Sequence, residues 1–259
     1  MQISYVCQAS PDVAANEDFV VASERFVVVL DGATDSGLPN GCAHDVAWLA
    51  RRLGGRLAEL LVERPDLPLR EALRQGITAT RALHPECDLD NPNSPSSTVA
   101  IVRAHAGTLD CLVLADSPLV VQTRDGELRE LNDDRTSHLP AYGREAVSRL
   151  RNSDQGFWVA STRPEAADRA LTAAVPLSRV RRFALVTDGV SRLVERYGWS
   201  WPRLLDTLEQ QGPAAAVRAV RAAELADPPG TFKGKRHDDA TAAFGLLEPG
   251  PESRPGPAA

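Results

Sequence analysis

The stretch from Ala100 to Glu130, "AIVRAHAGTLDCLVLADSPLVVQTRDGELRE", constrains the fold most. Its short apolar runs are separated only by turn-length polar gaps. Parallel strands need a crossover of a dozen or more residues, so runs this close must pair as antiparallel hairpins. The stretch reads as a meander of three or four strands. "VVASERFVVVL" repeats the pattern nearer the start, with two strands around Ser23–Arg25. The strand candidates are Ile3–Cys7, Asp18–Ala22, Phe26–Leu30, Thr98–Arg103, Leu109–Ala115, Leu119–Gln122, Phe183–Thr187 and Thr241–Leu246.

Helical periodicity is confined to two places. "CAHDVAWLARRLGGRLAELLVE" puts Val46, Leu49, Leu53, Leu57 and Leu60/Leu61 near one face, and "LREALRQGITATRAL" follows it behind Pro68. Two further helices are expected around Trp201–Gln211 and Pro213–Ala226. Strands, two helices, many strands, two helices and a last strand make an α+β chain in which helices cover antiparallel sheets. His84–Ser97 reads as a polar, proline-rich loop, and Arg135–Asp154 as an irregular segment or flap. Phe157 and Trp158 read as the start of a strand, with core packing the better role. Residues 1–247 are expected to form a single domain and 248–259 a disordered Pro/Gly-rich tail.

A net charge of −6 gives no basic face for nucleic acid or a membrane surface. "MQISYVCQAS" has no signal-peptide pattern and no apolar run approaches a membrane span, so a cytoplasmic protein is expected. Cys7, Cys42, Cys87 and Cys111 are scattered with no CxxC pair. They read as free thiols in a reducing compartment, with no structural zinc site. Nothing in the pattern speaks to oligomeric state.

The chemistry lies in the acidic residues at strand ends. Asp31-Gly32 follows "FVVVL", and Asp188-Gly189 follows "FALVT". Glu17-Asp18 opens one strand, Asp116 closes another, and Asp238-Asp239 precedes the last. Each alone reads equally well as a turn or cap. Together, at one rim of two packed sheets, they would repel one another unless cations intervened, and Mg²⁺ or Mn²⁺ prefers such oxygen ligands. Gly32 and Gly189 either let the backbone approach an ion or supply an unusual turn dihedral.

In this order, "NED", "DGAT", "SSTVAIV", "ADSPLVV", "TDGV" and "DDAT" resemble the metal-dependent protein phosphatases (PPM, type 2C) of bacterial type, from Asn16 to Phe244. The resemblance implies a four-layer α-β-β-α sandwich of two antiparallel sheets flanked by helix pairs, with two Mn²⁺ or Mg²⁺ ions at one end. It implies that Asp31 bridges the ions, that the Gly32 carbonyl ligates one, and that Asp188 and Asp238 complete the set. Asp18 would act through bound water, Asp116 would hold a third, weaker ion, and Glu17 and Asp239 would support them. Asp31, Asp188 and Asp238 would thus be catalytic through a metal-activated water that attacks phosphorus. Ser36 and Ser117 lie in no nucleophile elbow and read as turn or hydrogen-bonding residues.

Three positions depart from the family pattern. Val13 stands where members often carry the phosphate-binding arginine; Arg135, Arg144 and Arg192 are the substitutes, each also readable as a surface arginine. Ala33 occupies a position that is histidine in some members, so no protein general acid is named. Ala115 replaces the usual glycine of "GDS", with a modest effect expected. The leading expectation is a serine/threonine protein phosphatase. A phosphatase for a small phosphorylated metabolite and a pseudophosphatase binding module are the alternatives.

Overall fold

The computed structural model describes residues 1–13, 15–33, 37–228, 231 and 235–248. Ser36 and positions 249–259 of the expected tail lie outside them. In chain order the strands are β1 (Gln2–Gln8), β2 (Phe19–Ala22), β3 (Phe26–Leu30), β4 (Gly32–Ala33), β5 (Ser96–Ser97), β6 (Val99–His105), β7 (Thr108–Leu114), β8 (Leu119–Thr123), β9 (Leu128–Leu131), β10 (Leu171–Pro176), β11 (Val180–Val186) and β12 (Ala240–Leu246). The helices are α1 (Val46–Glu63), α2 (Leu69–Arg81), α3 (Arg144–Leu150), α4 (Asp188–Glu195), α5 (Trp201–Gln211) and α6 (Pro213–Ala226).

Two five-stranded antiparallel sheets form, β1-β12-β11-β8-β9 and β10-β7-β6-β3-β2. Their packing follows from side-chain parity. In β3 every residue is buried. Val27 and Val29 point between the sheets, while Phe26, Val28 and Leu30 pack beneath α1 and α2. In β11, Phe183 and Leu185 enter the inter-sheet core, while Ala184 and Val186 pack under α4, α5 and α6. A strand buried on both faces has no polar side to alternate with, which is why "FVVVL" and "FALV" are continuous apolar runs. The α+β sandwich expected from the motifs is the fold, with the short α4 added to the pair α5 and α6.

The meander, expected to have three or four strands, has four, but it does not stay in one sheet. β6 and β7 belong to one sheet, β8 and β9 to the other. The chain changes sheets between Leu114 and Leu119, and Asp116 sits on that crossing. Elsewhere the sequence reading needs correction. Phe157 and Trp158 are buried core residues, but they start no strand; only isolated bridges Arg151↔Phe157 and Ser97↔Ala160 occur there. The strand that follows is β10, an edge strand with five of its six residues exposed, so it lacks the apolar alternation that marks a strand. The irregular segment holds a 3₁₀ turn, Asp134–His138, and α3. α4 begins on the Asp-Gly pair that reads as a turn.

The crossing carries one strained residue. Ala115 has φ +65°, a left-handed conformation costly for any residue with a Cβ, and it is buried. Its amide donates to Asp133 Oδ2 at 3.0 Å, which holds the turn in place. Ala115→Gly is expected to raise stability by about 1 kcal/mol, the left-handed penalty less glycine's extra unfolded-state entropy. Thermal unfolding checks this; a lowered midpoint would count against it.

Candidate active site

The continuous burial of β3 and β11 delivers Asp31 and Asp188 to the same rim. Asp31 is fixed through its backbone: its amide donates to Thr98 Oγ1 at 3.1 Å. Its carbonyl accepts from Thr98 N and Ser97 Oγ, both at 2.9 Å. The "SST" segment before β6 therefore holds the end of β3. Asp31 Oδ2 accepts from the Asp188 amide, in the first turn of α4, at 3.2 Å. Thr187 Oγ1 donates to Asp18 Oδ2 at 2.8 Å. Thr136 Oγ1 donates to Asp116 Oδ2 at 2.7 Å.

Asp238 is gripped by cations. Arg192 donates to its Oδ2 at 2.9 Å and Lys235 to its Oδ1 at 3.1 Å. Arg221 donates to its backbone carbonyl. Glu224 of α6, 1% exposed, accepts from Arg192 at 3.0 Å and from Arg221 at 2.9 Å. Arg192 also lies 3.5 Å from Asp188 Oδ2. Asp239 accepts the amides of Ser10 at 2.7 Å and Glu17 at 2.6 Å, so it ties the N-terminal segment to the start of β12.

The acidic residues that the sequence marks out do converge. Loss of hydration pushes the Asp31 carboxyl well above the usual carboxylate range. The charges of Asp18, Asp188, Asp116 and Asp238 push it further. Asp18 rises to about 8, mainly through burial, against the hydroxyls of Thr241 and Thr187. Asp188 rises to about 6 through lost hydration and the charge of Asp238, with Arg192 opposing. Burial raises Asp116 as well.

This donor set fits hard divalent cations. It is all oxygen and its charges repel one another. Asp18 Oδ1 is buried with no hydrogen-bond partner among the described residues. The glycines add to the fit through space rather than dihedral angle, since neither has a positive φ. A Cβ on Gly32 would lie 2.6 Å from the Glu17 carbonyl oxygen, and one on Gly189 only 1.8 Å from that of Asp239. Both are points where backbone meets backbone behind the carboxylates.

The three candidate arginines lie apart. Arg192 is inside the acidic cluster, its side chain 3% exposed and engaged by Asp188, Asp238 and Glu224. Arg135 makes a two-pronged pair with Asp133, at 2.6 and 2.5 Å, beside the Asp116 crossing. Arg144 is exposed at the start of α3, its guanidinium near Gly37. Sequence reasoning missed Arg221, Glu224 and Lys235. The signal for Lys235 was available: it and Lys233, which lies outside the described residues, are the only lysines, both just before "RHDDAT".

Comparison with known proteins agrees with this fold. The family described as Protein phosphatase 2C matches residues 14–226. Among solved structures, the Mycobacterium tuberculosis serine/threonine phosphatase PstP/Ppp superposes with a TM-score of 0.63 at 19% identity, covering 95% of this chain and 98% of that one. The PPM Ser-Thr phosphatase MsPP from Mycobacterium smegmatis, solved with cacodylate, gives 0.60 at 18% identity, covering 94% and 97%. The PstP catalytic domain in complex with two manganese ions gives 0.58 at 19%, covering 94% and 96%. No curated protein matches the chain.

The raised carboxyls fix a pH dependence. A carboxyl whose pKa is higher in the folded than in the unfolded chain stabilises the fold below the unfolded value, and loses that stabilisation as pH rises through the folded one. For Asp18 and Asp188 the loss runs from about pH 4 to about pH 8. Metal-free protein should therefore lose melting temperature over that range, and Asp18→Asn should lose less of it. Mn²⁺ should raise the melting temperature more at about pH 7.5 than at about pH 5.5, because it competes with those protons. Differential scanning fluorimetry across pH reads all three.

Proposed function

The chain belongs to the protein phosphatase 2C family and is a metal-dependent phosphatase, and from that premise we propose that it hydrolyses phosphoserine and phosphothreonine in proteins with two Mn²⁺ or Mg²⁺ ions. The observation that carries the reading is the convergence of Asp18, Asp31, Asp116, Asp188 and Asp238 at one rim of the sandwich. Asp31, Asp188, Asp238 and the Gly32 carbonyl would hold the pair with Asp18 in support, and Asp116 would take a third, weaker ion. When bound, the ions would lower the pKa of a coordinated water and neutralise the phosphoryl oxygens. Residues 1–247 act as one domain, because the ligands come from both ends of this range.

The chain's own residues set the ligands in place. Arg192 and Arg221, both clamped by Glu224, hold the side chain and backbone of Asp238. Arg192 is a positioning residue rather than a phosphate ligand, since its side chain is buried among Asp188, Asp238 and Glu224, whereas that of Lys235 is 41% exposed. The α4 amide on Asp31 and the Thr187 hydroxyl on Asp18 fix the orientation of two carboxylates.

Phosphate recognition falls to Lys235. Burial works to lower its pKa, but the charges of Asp238, Glu17 and Asp188 outweigh it and keep the ammonium charged. Asp12, beside Val13, meets His237 Nδ1 at 2.9 Å. The segment that lacks the family's arginine is therefore pinned against the segment that carries this lysine. Lys235 supplies the cation that Val13 does not.

Hydrolysis of p-nitrophenyl phosphate with Mn²⁺, Mg²⁺ or EDTA tests the activity, with phosphopeptides and small phosphate esters as competing substrates. Turnover is expected with metal, with phosphopeptides preferred, and is expected to drop to background in a folded Asp31→Asn variant. Wild-type turnover in that variant, or in EDTA, would overturn the assignment. Lys235→Met is expected to raise KM roughly tenfold with a smaller change in kcat, the loss of one charge-assisted hydrogen bond. An unchanged KM would remove Lys235 from phosphate binding.

A further inference from the structure

Beyond the acidic rim, a second set of metal-ligating side chains meets where no sequence motif suggests it. Cys42 and His44 lie just before α1, and His84 and Cys87 just after α2. One ligand atom from each lies within 4.8 Å of every other. His84 Nδ1 is 3.4 Å from Cys42 Sγ. His44 Nδ1 is 3.6 Å from Cys42 Sγ and 3.7 Å from Cys87 Sγ. With Zn–S of about 2.3 Å and Zn–N of about 2.0–2.1 Å, the sulfur-to-nitrogen edge of a tetrahedron is about 3.6 Å. The three measured edges sit at that length.

We propose that Cys42, His44, His84 and Cys87 form a structural Zn²⁺ site that clips the start of α1 to the end of α2. The ligand chemistry selects the metal. Two thiolates and two imidazoles in a tetrahedron favour Zn²⁺ and reject Mg²⁺ and Mn²⁺, whereas the all-oxygen rim does the reverse. Four protein ligands close the coordination sphere, so the site is structural rather than catalytic. Binding deprotonates both thiols and releases two protons.

The surroundings are built for it. The His44 amide donates to Cys42 Sγ at 3.4 Å, which favours thiolate. Trp48 stacks on His44 with ring centroids 3.9 Å apart and meets His84 edge-on at 4.6 Å, fixing both imidazoles. The Asp88 amide donates to the Gly41 carbonyl at 2.9 Å, joining the two ligand loops independently of the metal. His44 also lines a cavity shared with Glu17, Ala33, Ser94 and Arg151. The clip therefore forms part of the wall leading to the acidic rim. The thiols expected to be scattered are so along the chain, but not all are in space. All four cysteines are free of disulfides, but two of them are neighbours in space.

The test is zinc stoichiometry by mass spectrometry on the full chain, purified without chelator and loaded with Zn²⁺. About one tightly held zinc per chain is expected in wild type and in Asp31→Asn, with loss in Cys42→Ser/Cys87→Ser. Co²⁺ loading of the wild type reads the ligands with no variant at all. Tetrahedral d–d bands with thiolate-to-cobalt charge transfer are expected. Zinc-free wild type, zinc lost in Asp31→Asn but kept in the serine variant, cobalt spectra without thiolate charge transfer, or a native Cys42–Cys87 disulfide would each overturn the site.

Discussion

Like charges brought to one place are the constraint around which this molecule is arranged. Asp18, Asp31, Asp116, Asp188 and Asp238 come from five separate stretches, and each raises the cost of ionising Asp31 or its neighbours. A fold offsets such a cost by donors and cations, and here both are layered behind the carboxylates. Thr187 and the α4 amide donate directly. Arg192 and Arg221 reach Asp238, and Glu224 balances them within α6. That third tier matters because two guanidiniums converging without a buried anion would repel each other. The divalent cations proposed for the rim would complete the balance.

The sandwich meets this demand because its strands are buried on both faces. Side chains that alternate between the inter-sheet core and the helices leave only the strand ends free for polar chemistry. β3 and β11 therefore carry aliphatic residues along their length and place their carboxylates immediately after the last buried position. The backbone contacts at Gly32 and Gly189 then bring the neighbouring segments closer than any side chain would allow.

Most of the fold and the acidic rim could be read from the sequence because their signals are local. Continuous apolar runs ending in Asp-Gly state both burial and termination within a few residues. What escaped depends on tertiary placement or on conflicting local signals. α4 escaped because Asp188-Gly189 is as good a turn as a helix start. β10 escaped because an exposed edge of small residues has no periodicity to detect. Arg192 looked like a surface cation because nothing near it in the chain reveals Glu224. Cys42-x-His44 and His84-x-x-Cys87 each have plausible ligand spacing, but neither pair is informative until the packing of α1 on α2 joins them.

The pairing of β1 with β12, from Gln2 opposite Leu246 to Gln8 opposite Ala240, has a temporal consequence. β12 lies between β1 and β11 in their sheet, and Asp238 lies just ahead of it. During synthesis the sheet that carries Asp188 stays divided, and the rim stays short of a carboxylate, until Ala240–Leu246 has left the ribosome. Contacts this distant in sequence also form late in folding, since their loop must be closed before they return any stabilisation. Nascent and partly folded chains therefore lack the complete acidic rim, and its assembly is coupled to a late stage of folding.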